Sequence, residues 1–186
     1  MNKKIVFLLF LINILLLSSC SLGGSRTEML NKDSDDKKAD ARLEQVIEVI
    51  KNKDKDVLES MFSKQALDEA DDFEGGMDYL FELLQGDVTS WERDGQIVDE
   101  TNEYGHRTKE VKSFYIVETD KQKYLFFLLE YTVNTDHPDN VGLYALRVIK
   151  VEDKETQFGS WQKMKIPGVY KPKDNKNTET TPSIKP

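Results

Sequence analysis

Near Val88 the spacing of the apolar residues changes, and this change constrains the fold of the chain more than any other feature. Before Val88 the apolar residues recur every three or four positions, which gives a helix one buried face. After Val88 they alternate with polar residues, as they do in strands that bury one face. The sequence therefore predicts an α+β domain in which N-terminal helices pack on an antiparallel sheet.

Four helical segments are predicted ahead of Val88. The first carries one apolar stripe, formed by Leu43, Val46, Ile47 and Ile50. Asp54 and Ser63 are placed to cap the next two, because a short polar side chain can accept a hydrogen bond from the first turn of a helix. The last stripe runs over Phe73–Leu84, with Gly75–Gly76 as its break or its start, and Gly86 is predicted to end it.

Four long strands are predicted after the helices, because alternating segments are separated by groups of turn residues. These strands are Gln96–Tyr104, His106–Thr119, Gln122–Thr135 and Val141–Val151. Phe158–Met164 is predicted to add an edge strand, and Lys165–Tyr170 to close the domain as an extended segment. We therefore expect an antiparallel sheet whose strands follow one another in the chain.

The alternation sorts the side chains of the sheet into two faces. The first is almost uniformly apolar and is predicted to pack on the helices; it bears Phe114, Ile116, Leu125, Phe127, Leu129, Tyr131, Tyr144, Leu146 and Val148. The second is mostly apolar too, with polar Ser113, Glu130 and Arg147 among Tyr115, Tyr124, Phe126 and Leu128. Because so much apolar surface should not face water, we expect this second face to be covered by a partner or a second copy, or to line a cavity. A strongly curled sheet would reverse the assignment and place the helices on the second face.

The first residues of the chain predict export and lipidation. Lys3 and Lys4 precede an apolar run, Ile5–Leu17, which is shorter than the roughly 20 residues that a membrane-spanning helix needs and fits a secretory signal peptide. The stretch Leu17-Ser18-Ser19-Cys20 resembles the lipobox of bacterial lipoproteins, in which the cysteine sulfur receives a diacylglycerol and the chain is cleaved just before it. The resemblance implies that Cys20, the single cysteine, anchors the protein to the membrane. An ordinary secretory signal with a chance cysteine is the alternative.

The chain is therefore predicted to have four parts. They are a signal peptide at 1–19, a lipidated flexible tether at 20–38, one α+β domain at 39–170 and a disordered tail at 171–186. The tether is rich in Gly, Ser, Asp and Lys without an apolar period, and the tail has almost nothing to bury. We expect an extracytoplasmic protein anchored to the bacterial cell membrane.

The charge balance and the motifs exclude several classes of function. The chain has 26 basic and 34 acidic side chains, whereas a domain that binds nucleic acid is expected to carry a basic surface. Nucleic acid is therefore not a predicted partner. The sequence lacks a phosphate-binding loop and any metal-ligand spacing, and His106 and His137 are its two histidines. We predict no cofactor, no metal and no catalytic residue.

Two resemblances to known proteins follow from these patterns. Helices followed by a long antiparallel sheet resemble the nuclear transport factor 2-like (cystatin-like) fold, which is a cone-shaped α+β fold with a strongly curved sheet. The stretch Asp139–Ile149, with Trp161 and Met164–Tyr170, is similar to an uncharacterised family of bacterial lipoproteins catalogued as domain of unknown function 5104. The resemblance covers roughly Leu43 to Tyr170. It implies the fold and a lipoprotein context, and it implies no activity.

Glu130 is the one acidic residue inside a long apolar strand, and two interpretations of it are open. Some members of the nuclear transport factor 2-like fold use a carboxylate in the cone as a base, which would suit an isomerase- or dehydratase-like enzyme. Alternatively, Glu130 pairs across the strands with Arg147, a near neighbour on the same face, and we favour this pair. The other candidate residues for a pocket or an interface are Trp91, Tyr115, Phe126, Tyr131 and Tyr144.

Three functions therefore stay open. The first is a membrane-anchored module that binds a small ligand or a protein, and it is the one we favour. The second is a structural lipoprotein that associates with itself through its sheet, as a homodimer. The third is the isomerase- or dehydratase-like enzyme. The ligand itself is unknown from the sequence.

Overall fold

The helices lie ahead of the sheet in the chain, apart from one short helix that follows the fourth strand. The computed structural model describes the backbone of residues 23–157 and 164–172, with side chains from residue 34 onwards in these ranges. The helices are α1 (Gly23–Asn52), α2 (Lys55–Ser60), α3 (Lys64–Glu69), α4 (Phe73–Leu83) and α5 (Lys154–Gln157). Among these described residues, no helix is both long enough and apolar enough to cross a membrane.

Polar caps set the beginnings of α2, α3 and α4. Asp54, Ser63 and Asp72 each accept a hydrogen bond from the backbone N–H three residues later, at 3.1, 3.2 and 2.9 Å. The predicted caps Asp54 and Ser63 are thereby confirmed. The cap at Asp72 starts α4 at Phe73, so Gly75–Gly76 lies inside this helix and neither breaks nor begins it.

α1 extends further towards the N-terminus than predicted. Residues 23–38 are helical, although their composition predicted a flexible tether. The segment contains no proline, and its Arg, Glu, Met, Leu and Lys residues are good helix formers. The described chain divides after Arg42 into two compact units, the second of which begins at Leu43. In the second unit Leu43, Val46 and Ile50 are buried, which confirms the predicted stripe.

Among the described residues, five strands form one sheet in the order β1-β2-β3-β4-β5. They are β1 (Val88–Glu103), β2 (His106–Thr119), β3 (Lys123–Asn134), β4 (Gly142–Lys150) and β5 (Gly168–Val169). The first four pair antiparallel with their chain neighbours, and β5 pairs parallel with β4. The predicted α+β class with a mainly antiparallel sheet is confirmed, and β2 has the predicted bounds.

Some predicted segments cannot be compared with the structure. The signal peptide and Cys20 lie outside the described residues, as does the tail from residue 173 onwards. The predicted edge strand Phe158–Met164 also lies outside them, except for Met164, which is not in a strand. The fifth strand that is described, β5, comes instead from the predicted closing segment.

Two backbone segments, one earlier and one later in the chain than β4, border this strand. Phe62 forms a single parallel bridge with Leu143, where the Ser63 N–H donates to the Leu143 carbonyl at 2.8 Å and the Leu143 N–H donates to the Met61 carbonyl at 2.9 Å. Further along β4, Ala145 and Leu146 pair with β5. Both segments satisfy hydrogen-bonding groups that β4 would otherwise present at an edge.

The helices pack on the sheet face that bears Tyr115, Tyr124 and Phe126. All three side chains are fully buried. The Tyr124 hydroxyl donates to the Leu83 carbonyl at 2.9 Å and accepts from the Gln85 N–H at 2.8 Å, which ties this face to the end of α4. We predicted that the opposite face packs on the helices, and this was wrong. The reversed assignment is correct, so Tyr115 and Phe126 do not form an exposed interface.

A register shift in the β3–β4 pairing explains a second error in the predicted faces. The shift falls between residues 129 and 130. The directly opposed pairs include Phe126–Val148, Phe127–Arg147 and Glu130–Leu143. Because opposed residues share a face, a shift of one residue moves a whole strand's side chains to the other face. Val148 therefore shares a face with Phe126, and Arg147 shares one with Phe127, whereas we predicted Val148 beside Phe127 and Arg147 beside Phe126.

Candidate functional site

An open groove lies on the sheet face that points away from the helices, which we call the outer face. It has a volume of about 360 Å³. Its lining residues are Ile97, Glu110, Lys112, Phe127, Leu129, Met164 and Lys165. Sheet register positions most of them, because Ile97 lies opposite Lys112, and Lys112 lies opposite Leu129. Three strands thus place one row of side chains across the groove.

The floor of the groove is apolar and closely packed. Phe127, Leu129 and Met164 are buried, with 1%, 0% and 6% of their surfaces exposed. The Phe127 ring also stacks on Phe114 with the ring centroids 5.0 Å apart. Ile97, on the outermost strand β1, is more open, with 38% of its surface exposed. A ligand with an apolar body would therefore contact mainly Ile97, because the floor beneath it is almost completely buried.

One charged cluster borders this floor, and Glu110 is its centre. The Glu110 carboxylate lies 2.6 Å from the Lys112 ammonium and 2.8 Å from that of Lys165. Lys112 also lies 2.6 Å from Asp99 on the neighbouring strand. We call these four residues the Glu110 cluster. The cluster links three segments that are distant in sequence: β1, β2 and the chain ahead of β5.

The charge of Glu110 is strongly stabilised. Burial alone would raise the pKa of this carboxyl, but hydrogen bonds from Lys112, Lys165 and Tyr131 outweigh burial and lower the pKa to about 2. Burial would likewise lower the pKa of Lys165, and its bonds to Glu110 and Tyr131 raise it instead. Glu110, Lys112 and Lys165 are therefore charged at neutral pH.

Tyr131 and Tyr144, two of the predicted pocket residues, meet beside this cluster. Their rings make an edge-to-face contact with centroids 5.8 Å apart. The Tyr144 hydroxyl donates to Glu69 at 2.7 Å, and burial together with this bond raises the pKa of Tyr144 to about 12. Burial also raises the pKa of Tyr131. Both hydroxyls stay protonated at neutral pH and act as hydrogen-bonding groups.

The predicted pair of Glu130 and Arg147 is not formed across the strands. Glu130 lies opposite Leu143, whereas Arg147 lies opposite Phe127, so their side chains leave the sheet on opposite faces. Arg147 is 3% exposed and donates from Nη1 to the Gln157 carbonyl at 3.2 Å. Its guanidinium carbon lies 3.8 Å from the centroid of the Tyr170 ring. Arg147 therefore holds the segment beyond β4 against the sheet.

The other predicted aromatic residues belong to the core. Trp91 packs edge-to-face on Tyr115, with the centroids 5.7 Å apart, on the side of the sheet that faces the helices. Phe126 is fully buried on the same side. The groove therefore takes none of its lining from Trp91, Tyr115 or Phe126.

Sequence reasoning missed the charged residues of the groove. The alternation of Glu110 and Lys112 in β2 placed both on one face, and this was the available signal. The position of Lys165 beside them depends on the path of the chain after β4, which no local pattern gives. Within residues 34–157 and 164–172, no three His, Cys, Asp or Glu side chains are grouped as ligands for a metal ion.

Comparison with protein families places this structure in a known group. A family model described as "Domain of unknown function (DUF5104)" matches residues 45–151, which is more than half of the chain. The matched range runs from α1 through β4 and includes Glu110 and Lys112. No curated protein matches the chain. The chain therefore belongs to the family of the Domain of unknown function (DUF5104).

Proposed function

We propose that this protein is a membrane-anchored extracytoplasmic lipoprotein whose domain binds a small, largely apolar ligand in the outer-face groove. The groove is the observation that carries the proposal. Sites for small molecules are usually concave, 300–1,000 Å³ in volume and mainly apolar, with a few placed polar groups. The groove has about 360 Å³, four apolar lining side chains and three charged ones.

The proposed architecture is the cone-shaped, nuclear transport factor 2-like variant of the α+β class. Helices that precede a mainly antiparallel sheet in chain order support this proposal. Register shifts in three strand pairings support it too, because bulges bend and twist strands.

Binding fits the groove better than catalysis does. A general base works best when its pKa lies near the working pH. Glu110 is the one carboxylate in the groove lining, and two ammonium groups hold its pKa at about 2. Glu130, the carboxylate that the sequence suggested as a base, leaves the sheet on the opposite face. We therefore propose a binding role and no reaction.

The proposal is tested with a neutral apolar probe and two neighbouring residues of β1. Ile97 and Val98 are equally exposed, at 38%, but they point to opposite faces and only Ile97 lines the groove. In the full chain in lipid nanodiscs, we expect Ile97→Lys to weaken binding of 4-phenylbutyramide by about fivefold or more, because it places a charge on an apolar contact surface. Val98→Lys is the matched control and should bind like the wild type.

Ligand-observed NMR measures this binding. Uptake of the probe by the bilayer is the same for both variants, so it does not contribute to the difference between them. Equal binding by wild type, Ile97→Lys and Val98→Lys would place the probe elsewhere and end the proposal for this groove.

The anchor is tested separately in a bacterial host. Because only a thiolate can receive the diacylglycerol at this position, we expect Cys20→Ala to abolish labelling by a fatty-acid analogue. The protein should also stay uncleaved or leave the membrane fraction. Ser19→Ala leaves the cysteine in place and serves as the control. Labelling that persists in Cys20→Ala would exclude lipidation at Cys20.

A further inference from the structure

The Glu110 cluster determines which ligand charge the groove favours. This inference rests on the proposed function. Both Glu110 oxygens are already occupied, one by Lys112 at 2.6 Å and the other by Lys165 at 2.8 Å. Glu110 is also buried, with 8% of its surface exposed. A cationic ligand would have to displace a lysine from a buried carboxylate, which costs a charge-assisted hydrogen bond.

The two lysines retain capacity for an anion. An ammonium group has three N–H donors. Lys112 uses one for Glu110 and one for Asp99, and Lys165 uses one for Glu110 and one for the Tyr131 hydroxyl. Among the described contacts, this leaves a third N–H on each lysine. The side chain of Lys165 is half exposed, at 48%, so its free donor is within reach of a molecule that enters the groove.

The balance of charge also favours an anion. One buried carboxylate holds two ammonium groups, and the remaining acidic partner, Asp99, has 62% of its side chain exposed to solvent. Solvent screens an exposed charge far more strongly than a buried one. Within the groove lining, the two ammonium groups of Lys112 and Lys165 thus outnumber the one carboxylate, Glu110, while Phe127, Leu129 and Met164 are apolar.

We propose that the groove binds a small apolar carboxylate, whose carboxylate group bonds to Lys112 and Lys165 and whose hydrocarbon body packs on Ile97 above the buried floor of the groove. The volume of about 360 Å³ equals that of about a dozen water molecules at roughly 30 Å³ each. A molecule with one short chain or one ring beside its carboxylate fits that volume.

Three probes of nearly equal shape test the charge. They are 4-phenylbutyrate, its neutral amide 4-phenylbutyramide and the cation 4-phenylbutylamine. In the full chain in nanodiscs, we expect the carboxylate to bind about tenfold more tightly than the amide, because it forms charge-assisted hydrogen bonds. The cation should bind more weakly than the amide.

A pair of lysines provides matched variants. Lys165→Met keeps the length and the apolar stem of the side chain, removes its charge, and should bring the ratio of carboxylate to amide affinity close to one. Lys171→Met is the control, because the Lys171 side chain is equally exposed, at 47%, but pairs with Asp72 outside the groove. That variant should keep the tenfold ratio. Retained amide binding by Lys165→Met shows that this variant is folded.

The outcomes separate this inference from the proposed function. If the wild type binds amide and carboxylate equally, or prefers the cation, the charge assignment is wrong although the groove still binds apolar molecules. If Lys171→Met loses the preference as Lys165→Met does, the groove lysines are not its source. If the wild type binds none of the three probes, the proposed function fails and this inference fails with it.

Discussion

At the scale of single residues, Glu110 shows how a charge can be kept inside a small domain. Three hydrogen-bond donors surround its carboxylate, and they come from the same strand, the next strand and the chain ahead of β5. A buried charge without partners would destabilise the fold by several kcal/mol. With its partners, Glu110 instead holds Lys165 to a residue that lies 55 positions earlier in the chain.

Glu110→Gln should lower the free energy of unfolding by about 1–3 kcal/mol at pH 7, because Lys112 and Lys165 lose a charged partner. Urea denaturation measures this change. Glu118→Gln is the control on the same strand. It removes a cross-strand pair with Lys123 whose side chains are 44% and 56% exposed, and such surface pairs contribute little.

The pH dependence of the same measurement follows from the pKa of Glu110, which is about 2 in the folded chain and near 4.5 in an unfolded one. A carboxyl whose pKa is lowered by folding stabilises the fold above its unfolded pKa, and this contribution is lost as the pH falls towards 2. The wild type should therefore lose more stability than Glu110→Gln between about pH 4.5 and pH 2. Parallel losses in the two proteins would contradict the ion-pair assignment.

The sequence pointed to Glu130 and passed over Glu110 for a physical reason. Glu130 stands out among apolar neighbours, whereas Glu110 lies in Lys109-Glu110-Val111-Lys112, which is typical of a solvent-exposed strand. What makes Glu110 special is a contact with Lys165, and contacts between distant segments leave no local pattern.

At the scale of elements, local chemistry predicted several boundaries and missed others, such as the start of β1, which is at Val88 and not at the predicted Gln96. Asp54 and Ser63 were recognised as caps, and the bounds of β2 were correct, because hydrogen bonding within a few residues decides these features. The face that was predicted to pack on the helices is the outer face, and the helices pack on the other one. A single register shift beyond Leu129 reversed the side chains of β4, and alternation alone cannot reveal such a shift.

Gly76 gives a prediction at this scale, since it is where α4 meets β5. A Cβ atom at this position would lie 2.3 Å from the Val169 carbonyl oxygen. In an open helix, Gly→Ala would stabilise by roughly 0.5–1 kcal/mol. Here the collision with a backbone atom should outweigh the gain in helix propensity. Gly76→Ala is therefore expected to destabilise the protein by about 1–3 kcal/mol in thermal or urea denaturation.

Glu82→Ala, at an exposed position of the same helix, is the control and should change stability by no more than about 0.5 kcal/mol. A more stable Gly76→Ala variant would mean that α4 and β5 are not in such close contact.

At the scale of the whole molecule, the second unit has a core that encloses the centre of the helix-facing side of the sheet. Tyr115, Tyr124 and Phe126 have 0% of their surfaces exposed. The sequence showed this face to be apolar, and it could not show whether helices or a second copy cover it. The answer depends on how the sheet packs, which involves residues from almost every element.

Phe126→Asp distinguishes the two arrangements. A carboxylate in the core lacks partners and costs several kcal/mol, which is comparable with the total stability of about 5–15 kcal/mol of a typical domain. We therefore expect the variant to be unfolded by circular dichroism. Val57→Asp, at a position that is 44% exposed, should stay folded. A soluble and folded Phe126→Asp variant would instead place this face on the surface.

The two backbone segments that border β4 have a consequence for the order of folding. One border is the bridge at Phe62 and the other is β5. The pairing of β4 is therefore complete only when it has contacted a segment synthesised long before it and a segment synthesised after it. Pairings across such sequence separations carry a large entropic cost until the chain is nearly complete, and they slow folding. A chain that emerges N-terminus first therefore cannot finish its sheet until Val169 has emerged.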